Sequence, residues 1–328
     1  MINQSFVDSF FPDIIGQSKV KRQLAFYINS FQSTQILPHL LIVGGKGSGK
    51  TALATLVARN LRVKENGGTI KPMLKVNCAT IRKLDALIEN VFIPYVKDHV
   101  TIFFDEAHTL DHITQDALLT ALNPDKHQIG YINYKDQVLE FPYKKVSFIF
   151  ATTDPQAMSG PLKDRLRHIQ LEPYSHEDLA KIIEVNMQGI RISKDAMDEA
   201  AKTCRGNPRA SVKMAQDNIV QYCAAAGIDS FDIKAWDNMR ELLGINPLGV
   251  GETELQVLNA LFGYEGRSLT AVSAFTGLEK SALMNEFEGY LLKLGLMEIG
   301  PKGRMLTADG YKYVKEYRES QKNINKTA

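Results

Sequence analysis

Cysteine is scarce in this chain. The three present, Cys78, Cys204 and Cys223, lie far apart and form no C-x-x-C. That pattern argues against a disulfide framework and against a thiolate zinc site, and it fits a reducing compartment. No apolar run approaches the roughly 18 residues that a membrane-spanning helix needs, so no membrane association is expected. The N-terminal stretch MINQSFVDSF has no basic region followed by an apolar core, so no secretory leader is expected either. These absences point to a cytoplasmic protein. A surplus of one charge is missing too: the formal net charge is only +2 over 328 residues. Any hold on nucleic acid must therefore come from a local patch and not from a global field.

What is present is ordinary for a soluble globular chain, with 44% hydrophobic and 23% charged residues. The length suggests two or three domains. The organising stretch is Gly44-Gly45-Lys46-Gly47-Ser48-Gly49-Lys50-Thr51, which fits G-x-x-x-x-G-K-[ST]. Residues 40–43 before it form a short apolar run, as a buried strand would. Residues 51–61 after it carry apolar side chains at helical spacing. Phosphate needs backbone N–H groups converging at a helix N-terminus, and glycine lets the chain wrap that closely. Gly44, Gly47, Ser48, Gly49, Lys50, Thr51 and Ala52 are thus expected around the phosphates of ATP. Lys50 reaches the β- and γ-phosphates in this reading, and the Thr51 hydroxyl holds Mg²⁺.

A second apolar run, 100–104, ends in Asp105-Glu106. Ligands gather at the carboxyl ends of parallel strands, so these acids are expected to face the same crevice as the glycine loop. Asp105 would serve Mg²⁺, and Glu106 would polarise the attacking water. A third run, 146–151, ends in Thr152-Thr153, where a hydroxyl can sense the γ-phosphate. His108 and His112 sit four apart but lack the H-E-x-x-H pattern of a zinc helix. Arg165 and Arg167 beside Asp164 read, in isolation, as a solvated loop.

Residues 128–141 read as a hairpin with aromatics at Tyr131 and Tyr134. The stretch 175–225 reads as all-helical, with a capped start at Ser175 and a break at residues 205–209. Residues 246–251 form the clearest linker. Beyond it come three helical stretches, 252–262, 269–275 and 279–294, then strand, glycine-rich tip and strand across 296–307. That is a winged helix–turn–helix pattern. Lys302 and Arg304 on the tip are placed to meet DNA phosphates without reading sequence. The tail from Glu316 is polar and expected to fray.

These landmarks, in this order, resemble the RuvB family of AAA+ motors, which drive branch migration of Holliday junctions. The likeness runs through Ile15-Gly16-Gln17, the glycine loop, Asp105-Glu106-Ala107-His108, Ala151-Thr152-Thr153, and residues 161–165. It continues through Leu171-Glu172-Pro173-Tyr174, residues 205–209, Pro247-Leu248-Gly249, Tyr290-Leu291-Leu292 and Gly303-Arg304. The resemblance implies an α/β fold: a P-loop core with a parallel sheet and helices on both faces (1–173), a helical lid (174–246), a winged-helix DNA-binding domain (247–316), and a polar tail (317–328). It implies Thr153 as the first sensor, Arg165 as an arginine finger acting on a neighbouring subunit, and Arg209 as the second sensor. Ile14, Ile15 and Tyr174 would flank the adenine. A ring, most simply a hexamer, acting on duplex or four-way junction DNA follows from the same resemblance.

The sequence departs from the family pattern in several places. Val7 stands where the family has an arginine, Gly45 and Lys46 replace prolines, Ala52 replaces a threonine, and Ile299 stands where the wing has an arginine. Asn123-Pro124-Asp125 replaces an acidic-tyrosine stretch. The hairpin is short, which leaves a RuvA-like partner open. Two rival readings remain at this stage: a clamp- or helicase-loader, and a DNA-binding regulator with a vestigial ATPase.

Overall fold

A computed structural model describes residues 4–123 and 127–327, with side chains through residue 320. Pro124 and Asp125, part of one departure noted above, lie outside the described residues. Two compact units divide the chain: Met1–Gln188 with Gly206–Asn218, and Gly189–Arg205 with Ile219–Ala328.

The first unit is built on five strands: β1 (Leu40–Val43), β2 (Met73–Asn77), β3 (Val100–Asp105), β4 (Val146–Thr152) and β5 (Arg167–Gln170). They form one parallel sheet in the order β2-β3-β4-β1-β5. β1 and β4 are buried at every position, as their unbroken apolar runs require of strands covered on both faces. Successive side chains alternate between two layers. Leu41, Val43, Phe104 and Phe148 pack with Leu87, Phe92 and Leu118. Leu40, Ile42, Phe103 and Ile149 pack with Leu24, Ile28, Leu53 and Val57. Burying each such side chain is worth roughly 1.5–3 kcal/mol, so this two-layer core is what fixes the strand ends in place.

Helix Ser18–Thr34 buries Val20, Leu24, Ala25, Ile28 and Phe31 on one stripe. It opens after Gln17, which is left-handed (φ 53) and gives no side-chain cap. Gln17 instead ties two distant segments. Its Nε2 donates to the Glu172 carbonyl at 2.7 Å, and its Oε1 accepts from the Glu172 N–H at 3.0 Å. The helix between β2 and β3 is interrupted: Leu84–Leu87 runs into a π turn, Ile88–Phe92, and then Ile93–Tyr95. Pro94 offers no N–H to continue the ladder. The hairpin pairs Ile129–Tyr134 with Gln137–Pro142. Tyr131 is exposed on it, whereas Tyr134 is buried and donates to Glu89 Oε1 at 2.8 Å.

In the second unit, helices Lys194–Thr203, Val220–Ala226 and Ile233–Leu243 are joined by a short parallel pairing of Arg191–Ile192 with Ser230–Phe231, which the all-helical reading missed. The winged part has helices Glu252–Leu261 and Leu269–Thr276. A third helical run passes from Lys280 to Lys293 through the π turn Leu283–Glu288. Strands β6 (Met297–Gly300) and β7 (Gly303–Leu306) pair antiparallel around the tip. The polar tail, expected to fray, is helical. Ala308–Thr327 is one helix, anchored by Val314, which is fully buried among Leu258, Val272 and Leu291, and by the Tyr313 hydroxyl donating to the Pro247 carbonyl at 2.9 Å.

Candidate active site

The parallel register brings the carboxyl ends of β1, β3 and β4 to one edge of the sheet. β1 opens into the glycine loop, β3 ends at Asp105, and β4 ends at Thr152. The loop has no room for side chains at its turns. A Cβ on Gly44 would lie 2.8 Å from Ser48 Oγ, and one on Gly47 would lie 2.4 Å from Asn207 Oδ1. Gly47 (φ +78) and Gly49 (φ +96) are also left-handed. The loop then enters helix Lys50–Arg59, whose first N–H groups have no intrahelical partner. Ser48 Oγ is buried and finds no partner among the described residues. This donor-rich cradle fits a phosphate chain.

Beside it lies a cavity of about 500 Å³. Of the residues expected from sequence, the structure gathers Ile14, Ile15, the stretch Gly47 to Ala52, Asp105, Glu106, Tyr174 and Arg209 on its lining. Gly44 stands just outside and contributes its carbonyl. Lys50 Nζ donates to the carbonyls of Gly44 (2.9 Å) and Gly45 (3.0 Å). Burial pushes the Lys50 ammonium below its ordinary range; Glu106 and Asp105 pull it back up, and Arg209 adds to the depression. Thr51 Oγ1 donates to Asp105 Oδ2 at 3.2 Å, so the two groups expected to serve Mg²⁺ already converge. Thr153 Oγ1 donates to Glu106 Oε2 at 3.3 Å, joining the expected sensor position to the acid expected to polarise the water. The Tyr174 hydroxyl donates to the Ser48 carbonyl at 3.3 Å. Such a set can grip a nucleoside triphosphate and present a carboxylate to a water near its terminal phosphate.

Four participants were not singled out as site residues in the sequence. Lys75, on β2, places Nζ 2.9 Å from Asp105 Oδ2. His108 Nδ1 lies 3.0 Å from Thr152 Oγ1 and 3.6 Å from Glu106 Oε2, which gives it a place beside the acid and none in a metal pair with His112. Asn207 caps helix Pro208–Lys213 through the Arg209 N–H at 3.0 Å and presses on Gly47. Gln17 holds the chain just before Tyr174. Gln17, His108 and Asn207 lie in stretches that carry the family resemblance, but of the four only Asn207, as an Asn-Pro helix start, left a structural signal of its own.

Arg165 is not part of this cavity. Its Nη1 donates to the Pro161 carbonyl at 2.9 Å, and it lines a separate depression of about 470 Å³ with Arg167 and His39.

A family model described as the Holliday junction DNA helicase RuvB P-loop domain matches residues 8–171, and one for the RuvB C-terminal winged helix domain matches residues 247–315. The chain belongs to the RuvB family. It is accordingly an AAA+ ATPase that binds nucleotide. Relatives named Holliday junction branch migration complex subunit RuvB include that of Mycoplasmopsis pulmonis, 28% identical over 314 residues, covering 93% of this chain and 96% of the relative. That of Campylobacter hominis is 27% identical over 333 residues, covering 98% and 94%. The solved Thermotoga maritima RuvB Holliday junction branch migration motor has the same fold, with a TM-score of 0.73 at 24% identity over 94% of this chain and 98% of that one.

Two departures from the RuvB pattern now have a place. Val7 is fully buried with Phe11 and Leu24, so an apolar side chain packs where RuvB carries an arginine. Ile299 is exposed on β6, opposite Arg304. The RuvB winged domain here holds its charges close. Lys302, at the tip, places Nζ 2.6 Å from Glu265 Oε2, with both side chains exposed. Arg304 does not offer its charge outward. Its guanidinium donates to both oxygens of Glu288 at 2.6 and 3.0 Å, and the two side chains are only 15% and 4% exposed. The charge expected to face DNA phosphate at Arg304 is engaged in an internal brace with Glu288.

Proposed function

We propose that this chain is the motor of a RuvB-type machine: it hydrolyses ATP in a homomeric ring, most simply a hexamer, and moves duplex arms of four-way junction DNA. The observation that carries the reading is the distribution of groups in the first unit. Phosphate cradle, acids and Arg209 line one cavity, with the Thr153 hydroxyl bonded to Glu106, while Arg165 stands apart from it. In this reading Lys50 and Arg209 are engaged with the bound nucleotide, and Arg165 of a second copy supplies the further cation that the transferring phosphoryl charge calls for.

In this reading Ile14, Ile15 and Tyr174 enclose the base and the loop amides and Lys50 hold the phosphates. Thr51 and Asp105 hold Mg²⁺, which when bound neutralises phosphate charge. Glu106 accepts a proton from the attacking water. Thr153, hydrogen-bonded to that same carboxylate, orients it. Arg209 lies at the start of the helix capped by Asn207, so the nucleotide's presence is felt by the segment that follows. Lys302 is the wing's phosphate contact. A RuvA-like partner would meet the hairpin, where Tyr131 and Val138 are exposed.

The test is the ATPase rate of the purified protein alone, with four-way junction, with linear duplex and with single strands. Stimulation greatest on junction and duplex supports the motor reading. A rate indifferent to DNA but raised by a sliding clamp or replicative helicase would favour a loader.

A further inference from the structure

The acid at the end of β3 already has a cationic neighbour that the activity does not require. β2 and β3 run parallel with Asn77 opposite Asp105 and Lys75 opposite Phe103. The long Lys75 side chain passes the Phe103 ring, with its ammonium 5.9 Å from the ring centre, and reaches Asp105 Oδ2 at 2.9 Å. Thr51 Oγ1 is 3.2 Å from that same oxygen. Both donors therefore converge on the carboxylate oxygen at which a divalent cation would be served. The second acid is engaged elsewhere, with Thr153 and His108. Among the described residues, Asp105 is the only carboxylate in an ion pair with Lys75.

We propose that Lys75 is a resident counter-ion for Asp105 and sets the Mg²⁺ concentration at which the nucleotide site loads. This rests on the reading of Thr51 and Asp105 as the metal's protein groups. Lys75 is 51% exposed at its side chain, against 15% for Asp105. A half-exposed ion pair holds weakly, so the ammonium can withdraw to water. A divalent cation at a comparable distance interacts about twice as strongly with the carboxylate as the ammonium does, so Mg²⁺ displaces it. The displacement still carries a penalty, because the pair must break and two cations then crowd one acid. Lys75 acts through Asp105 and is a positioning residue, with no contact to substrate required.

The experiment is equilibrium binding of a fluorescent ADP analogue to the full chain, titrated with Mg²⁺ from an EDTA baseline at fixed nucleotide. The comparison is the native protein with Lys75→Met and Lys75→Arg. Lys75→Met is expected to lower the half-saturating Mg²⁺ about three- to tenfold, and to flatten its dependence on KCl. Each variant's own affinity in EDTA is the reference for its midpoint. Lys75→Arg, which keeps the charge, should keep the native midpoint. A Met variant with the native midpoint, or one needing more Mg²⁺, overturns the proposal. If Mg²⁺ does not change nucleotide binding by the native protein, the assignment of Thr51 and Asp105 to the metal fails as well. Thermal melting of the half-exposed variants checks that they are folded.

Discussion

Two arginine-or-lysine positions on the same wing have opposite fates, and substitution should separate them. Lys302 is exposed and paired only with an exposed glutamate, an arrangement worth little to stability. Lys302→Ala should leave the melting temperature near native and lower the slope of log affinity for duplex DNA against log salt by about one. Arg304→Ala should do the reverse in stability: it strands Glu288 in the interior, for a loss of about 3–5 kcal/mol. Urea titration and a salt series on the two variants check both. A third buried charge makes a pH prediction. Burial pushes the Lys71 ammonium down to about 7, although it donates to Ser147 Oγ at 3.0 Å and to the Lys144 carbonyl at 3.1 Å. Below pH 7 both folded and unfolded chains carry that proton, and the folded chain bears the whole cost of enclosing it. Between 7 and the ordinary 10.5 the unfolded chain still holds a proton that the folded one has released, so stability rises with pH. Lys71→Met should therefore stabilise by about a few kcal/mol at pH 7 and below, and the gain should shrink toward pH 10. Denaturant midpoints across pH measure it, and a gain that grows with pH would contradict the assignment.

At the scale of elements, the helix Ala308–Thr327 is the part of the second unit that reading from the residues got wrong, and the reason is physical. Its polar end from Glu316 predicts fraying, but the helix begins earlier, where Tyr313, Val314 and Tyr317 give it a narrow apolar stripe that only the winged core explains. Gly310 lets that helix approach the entry to β6 so closely that a Cβ there would run into the Leu296 carbonyl. Gly310→Ala should push the helix off the winged domain, seen as a lower melting temperature and faster proteolysis after residue 300 in limited digests. A variant as resistant as the native chain would mean that the helix carries no load. The glycine loop, the acids after β3 and the threonines after β4 were legible because each is a local pattern with one chemical meaning. Lys75, His108 and Gln17 were not, because their partners come from other strands or from residues up to 155 positions away, as with Gln17 and Glu172. β5 escaped for another reason: Arg167-His168-Ile169-Gln170 buries only Ile169, so as an edge strand it has no apolar run to announce it. Arg304 was misread because its burial depends on Glu288, in another element.

At the scale of the whole molecule, the winged domain is short of positive charge. Residues 247–315 hold seven Lys and Arg against eight Asp and Glu, and Arg304 is committed internally. A single copy should thus grip DNA weakly, and useful affinity must come from several copies acting together. That ties the DNA reading to the assembly reading, and both to the separation of Arg165 from the cavity that holds Lys50, Asp105 and Glu106. The most direct measurement mixes two inactive proteins, Glu106→Gln and Arg165→Ala, each expected to hydrolyse ATP at least about a hundredfold more slowly than native alone. If each triphosphate is cleaved between copies, an equal mixture regains activity, because some sites then combine an intact Glu106 from one copy with an intact Arg165 from the next; random assembly sets the recovery near a quarter of the native rate. A mixture as inactive as its components, or an Arg165→Ala protein that is fully active by itself, contradicts the account.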